Sequence, residues 1–233
     1  MIYLSLFLVS FISGSLVFAK QLNLKNKITF LLSFSGAYLL GVCFLHLIPE
    51  LFESGDESVG LYLLIGFFLQ LVLDYFSGGI EHGHTHVNSK KIGRFPYLVF
   101  ISLGLHAFLE SFPLTELNQE MESSSYLWGL LLHKGPIAII LGSLLLAYKL
   151  KNSQIFIAII LFSLMAPLGA FIGSSFTSDT TIYQQFLAVS IGIILHLSTT
   201  ILLETNEEHH ISLKKLVPIM LGVALALLTL VIH

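Results

Sequence analysis

Eight long apolar stretches follow one another along the chain, near residues 1–19, 28–48, 59–77, 96–113, 125–148, 154–176, 182–203 and 213–232. A helix needs about 20 apolar residues to cross the hydrocarbon core, so each stretch is a candidate span. Lipid offers no hydrogen bonds to the backbone, which leaves helices or closed barrels. The stretches lack the period-two alternation of a barrel wall, so the prediction is an all-α membrane protein with eight transmembrane helices. Composition agrees: 55% of residues are hydrophobic, 11% are charged, and the mean hydropathy is +0.87. Eight spans leave roughly ten residues per connection, too few for a large soluble domain. The chain reads as a single transmembrane domain, 1–233. No basic n-region or small-residue cleavage site marks the first stretch, which is read as a retained span. Cys43 is the sole cysteine, which excludes a disulfide framework and a Cys-based zinc site. No basic patch suggests nucleic acid as a partner; the bilayer is the implied one.

The basic residues set a direction. Ten of the eleven Lys and Arg lie on odd-numbered connections: Lys20, Lys25 and Lys27; Lys90, Lys91 and Arg94; Lys149 and Lys151; Lys214 and Lys215. The even-numbered connections carry only acidic charges, among them Glu50, Glu53, Asp56, Glu57, Glu116, Glu120, Glu122 and Asp179. The positive-inside rule then puts both termini outside and the loop 78–95 in the cytoplasm. Leu45-His46-Leu47 in the second span and Leu195-His196-Leu197 in the seventh hint at an inverted repeat of three spans about two central ones. Chance could also produce so short a match in leucine-rich sequence.

Ionisable groups at membrane depth are costly and therefore functional candidates. His106 and Glu110 stand four apart in the fourth span and share one helical face. His133 sits as far into the fifth span as His106 does into the fourth, so both histidines fall near the midplane. Two imidazoles and a carboxylate suit a borderline cation such as Zn²⁺. Pro136 and Pro167 free the carbonyls of Leu132 and Ser163, and broken helices of this kind shape cavities in carriers. The competing reading makes His106, Glu110, His133 and Lys134 interhelical hydrogen bonds and an ion pair that hold the bundle together.

These residues also carry a resemblance. His106-Ala107-Phe108-Leu109-Glu110-Ser111 resembles the fourth-helix His-Asn-x-x-(Glu/Asp)-Gly of the ZIP family of divalent-metal transporters, and His133-Lys134-Gly135-Pro136 resembles its fifth-helix His-Glu-x-Pro-His-Glu. His46-Leu47-Ile48-Pro49-Glu50 looks like the end of the family's second helix, and Pro167-Leu168-Gly169-Ala170 like its sixth-helix Pro-Leu-Gly-Ala. The resemblance covers essentially the whole chain. It implies a 3+2+3 helix bundle with metal between helices 4 and 5. Where many members hold a second metal, this chain has Ala107, Lys134, Ala138 and Ala166. The resemblance therefore implies one site, His106, Glu110 and His133, with Lys134 replacing the second cation, as in the subgroup that carries His-Lys-x-Pro.

The function expected is transport of a divalent metal, zinc first, toward the cytosol by alternating access; Fe²⁺, Mn²⁺ and Cd²⁺ suit the same ligands. The rival is a metal-binding receptor or regulator that does not translocate. An intramembrane metalloprotease fits less well, because no His-Glu-x-x-His occurs. His82, His84 and His86 form a candidate metal-receiving loop or a solvated linker. His46 and Glu50 are candidates for a gate or for a simple helix end. Glu207, Glu208, His209 and His210 read as a solvated run, His196 as a core histidine, and Gln70 with Asp74 as exit groups or interfacial residues. The external acidic residues could concentrate cations near an entrance. The cell (inner) membrane is the expected location, an organellar membrane the alternative, and a homodimer is compatible with both.

Overall fold

The structure, a computed structural model, describes residues 1–19, 25–53, 58–82, 92–114, 121–176, 180–203 and 213–231. Most of the histidine-bearing loop, including His84 and His86, lies outside these residues, as do Asp56, Glu57, Glu116, Glu120, Asp179 and the run from Glu207 to His210.

The described residues include no strand and are mostly helical, as the unbroken apolar runs require. In chain order the helices are α1 (Ile2–Ser15), α2 (Lys25–Val42), α3 (Ile48–Glu53), α4 (Val59–Ser77), α5 (Tyr97–Leu109), α6 (Met121–Ala147), α7 (Asn152–Ser174), α8 (Thr180–Leu203) and α9 (Leu213–Val231). A π-helical turn, Cys43–Leu47, joins α2 to α3, so these form one continuous segment with His46 in the wide turn. Five segments are long and apolar enough to cross a membrane: Lys27–Glu53, Val59–Ser77, Ser125–Ala147, Asn152–Ser174 and Thr181–Leu203. Three are shorter: Ile2–Phe18, Tyr97–Leu109 and Lys215–Leu230. The fourth span is thus helical to Leu109 rather than to 113, and its last residues turn away beside Glu110.

The distribution of side chains is that of a membrane protein. Phe68, Phe171, Leu4, Leu98 and Trp128 face outward, whereas Gln70, Glu81, His106, Glu110, His133 and Lys134 are buried. In water this arrangement would be costly; in lipid it solvates the apolar surface and pairs the polar groups inside.

By part of their packing the helices sort into two groups, which meet where α2 packs on α6 and α4 on α5. One consists of α1, α5, α6 and α7, in which α1 packs on α6 and α7, α5 on α7, and α6 on α7. In the other, α2 packs on α9 and α8, and α4 on α8. Exchanging α1 with α7, α2 with α8, α4 with α9 and α5 with α6 turns the α2–α9 contact into α8–α4, turns α1–α6 into α7–α5, and leaves α1–α7 in place. The exchange aligns the helices of His46 and His196, but it turns the substantial α2–α6 and α4–α5 contacts into the much slighter α8–α5 and α9–α6, so the packing matches an inverted repeat only in part.

Glycines let backbones touch at the helix crossings. A Cβ at Gly66 of α4 would lie 2.0 Å from the Val189 carbonyl oxygen of α8, and one at Gly192 of α8 would lie 2.0 Å from that of Leu63. Gly169 and Gly173 of α7 do the same for α5 and the turn after it, where a Cβ would meet Phe108 O at 2.1 Å and Phe112 O at 1.9 Å. Small residues four apart bring helices this close where no hydrophobic force between helices helps. Here they seat the helix that carries His106 and Glu110.

Candidate metal site

Helix α5 ends at the centre of the candidate site. Glu110 is its C-cap, and its amide donates to the His106 carbonyl at 3.0 Å, so the one-turn spacing that puts both side chains on one face survives at the helix end. A helix ending in lipid leaves carbonyls that water would otherwise satisfy. Hydroxyls from neighbouring helices take that place. Ser190 donates to Leu109 O at 2.8 Å, Tyr183 to Pro113 O at 3.2 Å, and Tyr126 to Glu110 O. Lys134 Nζ, on α6, reaches Ala107 O at 3.3 Å, which puts an ammonium at the negative end of the α5 dipole.

The structure brings together His106, Glu110 and His133, all buried, with one ligand atom from each lying within 4.8 Å of the others. His106 Nε2 and Glu110 Oε2 are 3.2 Å apart. Tetrahedral zinc with bonds of about 2.0–2.1 Å separates its ligands by about 3.3 Å. The His106–Glu110 edge therefore already has the required length, and His133 offers a ring nitrogen no more than 4.8 Å from either ligand atom. That ring stands 6.1 Å from the His106 ring at 79°. Three protein ligands leave a fourth position for water, the arrangement of a site that must exchange what it holds.

The two Glu110 oxygens are used differently. Oε1 faces the Lys134 ammonium at 2.5 Å, while Oε2 faces His106. Lys134 is 2% exposed, and among the described residues no larger side chain is so completely buried. Ala107, Ala138 and Ala166 are buried as well and offer no ligand atom. Among the described residues, His106, Glu110 and His133 form the only group of three or more His, Cys, Asp or Glu able to hold a metal.

Two residues join the site that the sequence did not assign to it. Gln70 of α4 is fully buried, with Oε1 3.0 Å from His106 Nδ1 and Nε2 donating to Glu81 Oε2. Glu81, in the short turn Ile80–His82 that begins the loop, is also fully buried, and Ile80 beside it packs into the core. The loop therefore starts inside the bundle. A glutamine amid an apolar run was the only sequence signal for Gln70. Nothing in the local pattern separated Glu81 from the polar residues that follow it.

Other candidates fall elsewhere. His46 is buried, with Nε2 2.7 Å from Thr229 Oγ1 on α9, and Glu50 is exposed. His196 is buried with its ring 5.0 Å from that of Phe67. Asp74, one turn beyond Gln70, is half-buried. Pro136 and Pro167 lie inside α6 and α7, and Pro218 interrupts α9 in the same way. The His82 backbone closes the turn after Ile80.

Comparison with known proteins follows the same lines. Residues 1–94 and 80–230 each match the sequence model of the ZIP zinc transporter family. The chain is 27% identical over 186 residues to zinc transporter ZIP1 of Bos taurus and of Mus musculus, and 26% identical to that of Homo sapiens. Each match covers 61% of this chain and 57% of the relative, so it spans little more than half the length of those proteins. The family match, in contrast, runs through nearly every helix described above, and on that ground the chain belongs to the ZIP zinc transporter family.

Proposed function

We propose that this protein carries a divalent cation, zinc first, across a bilayer toward the cytosol by alternating access, through one site formed by His106, Glu110 and His133. The observation that carries the reading is the convergence of these three ligand atoms within 4.8 Å, fully enclosed between α5 and α6, in a chain of a zinc-transporter family. Lys134 stands in for a second cation by holding Glu110 Oε1, and Pro136 and Pro167 loosen the helices that border the site. Nothing in the donor set separates zinc from Fe²⁺, Mn²⁺ or Cd²⁺, so these compete for the same ligands. His46 with Glu50 would gate the outer side, and His82, His84 and His86 would receive the ion inside. Both termini face outward, and the cell membrane is the site of action. The zinc transporters named above support the choice of ion, and the family's activity is transport rather than catalysis.

The test is uptake of radiolabelled zinc into vesicles holding the purified protein, beside His106→Ala and Glu110→Gln. Saturable uptake should be lost in both variants, with affinity reduced at least the 10- to 100-fold typical of lesser disturbances around a metal. Zinc binding without flux in the parent protein would favour the receptor or regulator instead.

A further inference from the structure

We infer that Gln70 and Glu81 are positioning residues for this site: the Glu81 carboxylate orients the Gln70 amide, and the amide holds His106 in the tautomer whose Nε2 faces the metal. The inference rests on the site reading above and deepens it.

The argument runs from the outermost group inward. A carboxylate can only accept, so the end of the Gln70 amide that faces Glu81 Oε2 is its NH₂. The other end, the carbonyl oxygen, therefore faces His106 Nδ1 at 3.0 Å. A carbonyl also only accepts, so Nδ1 must carry the hydrogen. In a neutral imidazole that leaves the lone pair on Nε2, the nitrogen 3.2 Å from Glu110 Oε2. Two acceptors so close in a dry interior repel unless a cation, either a proton or a metal ion, lies between them. The chain from Glu81 through Gln70 thus prepares an electron pair beside a carboxylate. Metal-bound histidines commonly gain their orientation from a carboxylate behind the ring, and here an amide is interposed.

Charge supplies a second reason. The Glu110 carboxylate and the Lys134 ammonium cancel. Glu81 is fully buried with Oε2 4.0 Å from His106 Nδ1, so its carboxylate favours a cation held by that ring. Glue between helices needs only one of these bonds; a chain of two that ends on the proposed ligand, with a carboxylate at its far end, does more.

Three variants of the full chain separate the contributions, each titrated with Zn²⁺ in detergent, with the His106 tautomer read from ¹⁵N chemical shifts of the metal-free, histidine-labelled protein. Gln70→Leu should cost 10- to 100-fold in affinity and release His106 into mixed tautomers. Glu81→Gln should keep the tautomer, because an amide oxygen still accepts from Gln70, yet weaken binding through the lost charge. Exchanging the pair, Gln70→Glu with Glu81→Gln, should restore both readouts, since the new carboxylate accepts directly from Nδ1. An Nε2–H tautomer in the unaltered protein would overturn the inference without any variant. So would parental zinc affinity in Gln70→Leu and Glu81→Gln while His106→Ala abolishes binding. If His106→Ala itself binds zinc normally, the failure belongs to the site reading.

Discussion

Lys134 poses the sharpest question at the scale of single residues, because a buried ammonium in lipid must repay its desolvation. It does so twice, through Glu110 Oε1 at 2.5 Å and the Ala107 carbonyl at the α5 terminus. Because Oε1 takes the ammonium, Oε2 stays available, so a metal and Lys134 can hold the same carboxylate together. Both are cations, and the metal binds against the repulsion of the ammonium. Lys134→Met should therefore destabilise the metal-free protein by about 3–5 kcal/mol, the cost of leaving one partner of a buried pair alone. The same variant should bind zinc more tightly, so added zinc should recover more melting temperature than it adds to the parent. Thermal melts with and without zinc decide the matter; unchanged stability with weaker binding would mean that Lys134 supports the site by another route.

At the scale of helices, the site depends on how closely α5 lies on α7. Gly169 allows that contact, and Gly66 allows the equally close one between α4 and α8. Gly169→Ala and Gly66→Ala should each lose about 1–3 kcal/mol, the usual range for forcing extra volume into a packed interior. Their effects on zinc should differ in degree. The added methyl at Gly169 displaces Phe108, which lies between His106 and Glu110 in sequence, whereas the one at Gly66 meets Val189 and reaches the site only through the neighbouring Ser190 and Gln70. Calorimetric titration should show the larger loss of affinity for Gly169→Ala; equal losses would mean that metal affinity follows global stability. The same contrast explains what the sequence could disclose. His106 and Glu110 were legible because their relation is local, four residues along one helix. His133 was legible by its depth in the next span. The link from Gln70 to His106 is not local; it exists because α4 packs on α5, and apolar patterning carries no information about which faces meet. Nor does hydropathy mark the π turn at Cys43–Leu47 or the early end of α5, since both change hydrogen bonding without changing composition.

Across the whole molecule, alternating access as proposed requires one set of helices to move against another, and the packing suggests where the division falls. His106, Glu110 and His133 all belong to the group of α1, α5, α6 and α7. Among the described residues the hydrogen bonds between the two groups include Ser190 to Leu109 O, Tyr183 to Pro113 O, Tyr38 to Ser125 O at 3.1 Å and Gln70 to His106, alongside apolar packing of α2 on α6 and of α4 on α5. Such bonds can exchange partners as surfaces slide, whereas glycine-seated backbone crossings within a group cannot separate without opening voids. Two engineered disulfides test this division in a background where the buried Cys43 is replaced by alanine. The first joins the groups. A Cβ at Gly129 of α6 would lie 3.1 Å from Leu39 Cγ of α2, which places Leu39→Cys and Gly129→Cys within bridging reach. The second stays inside the site-bearing group, at Gly14→Cys and Ile159→Cys, where a Cβ at Gly14 would lie 2.9 Å from Ile159 Cγ2. Oxidation of the Leu39–Gly129 pair should stop zinc uptake and reduction should restore it, with binding retained in both states. Oxidation of the Gly14–Ile159 pair should leave uptake running. Transport that continues with Leu39 and Gly129 joined would show that the two groups do not move apart there, and the carrier motion would have to lie within the site-bearing helices themselves.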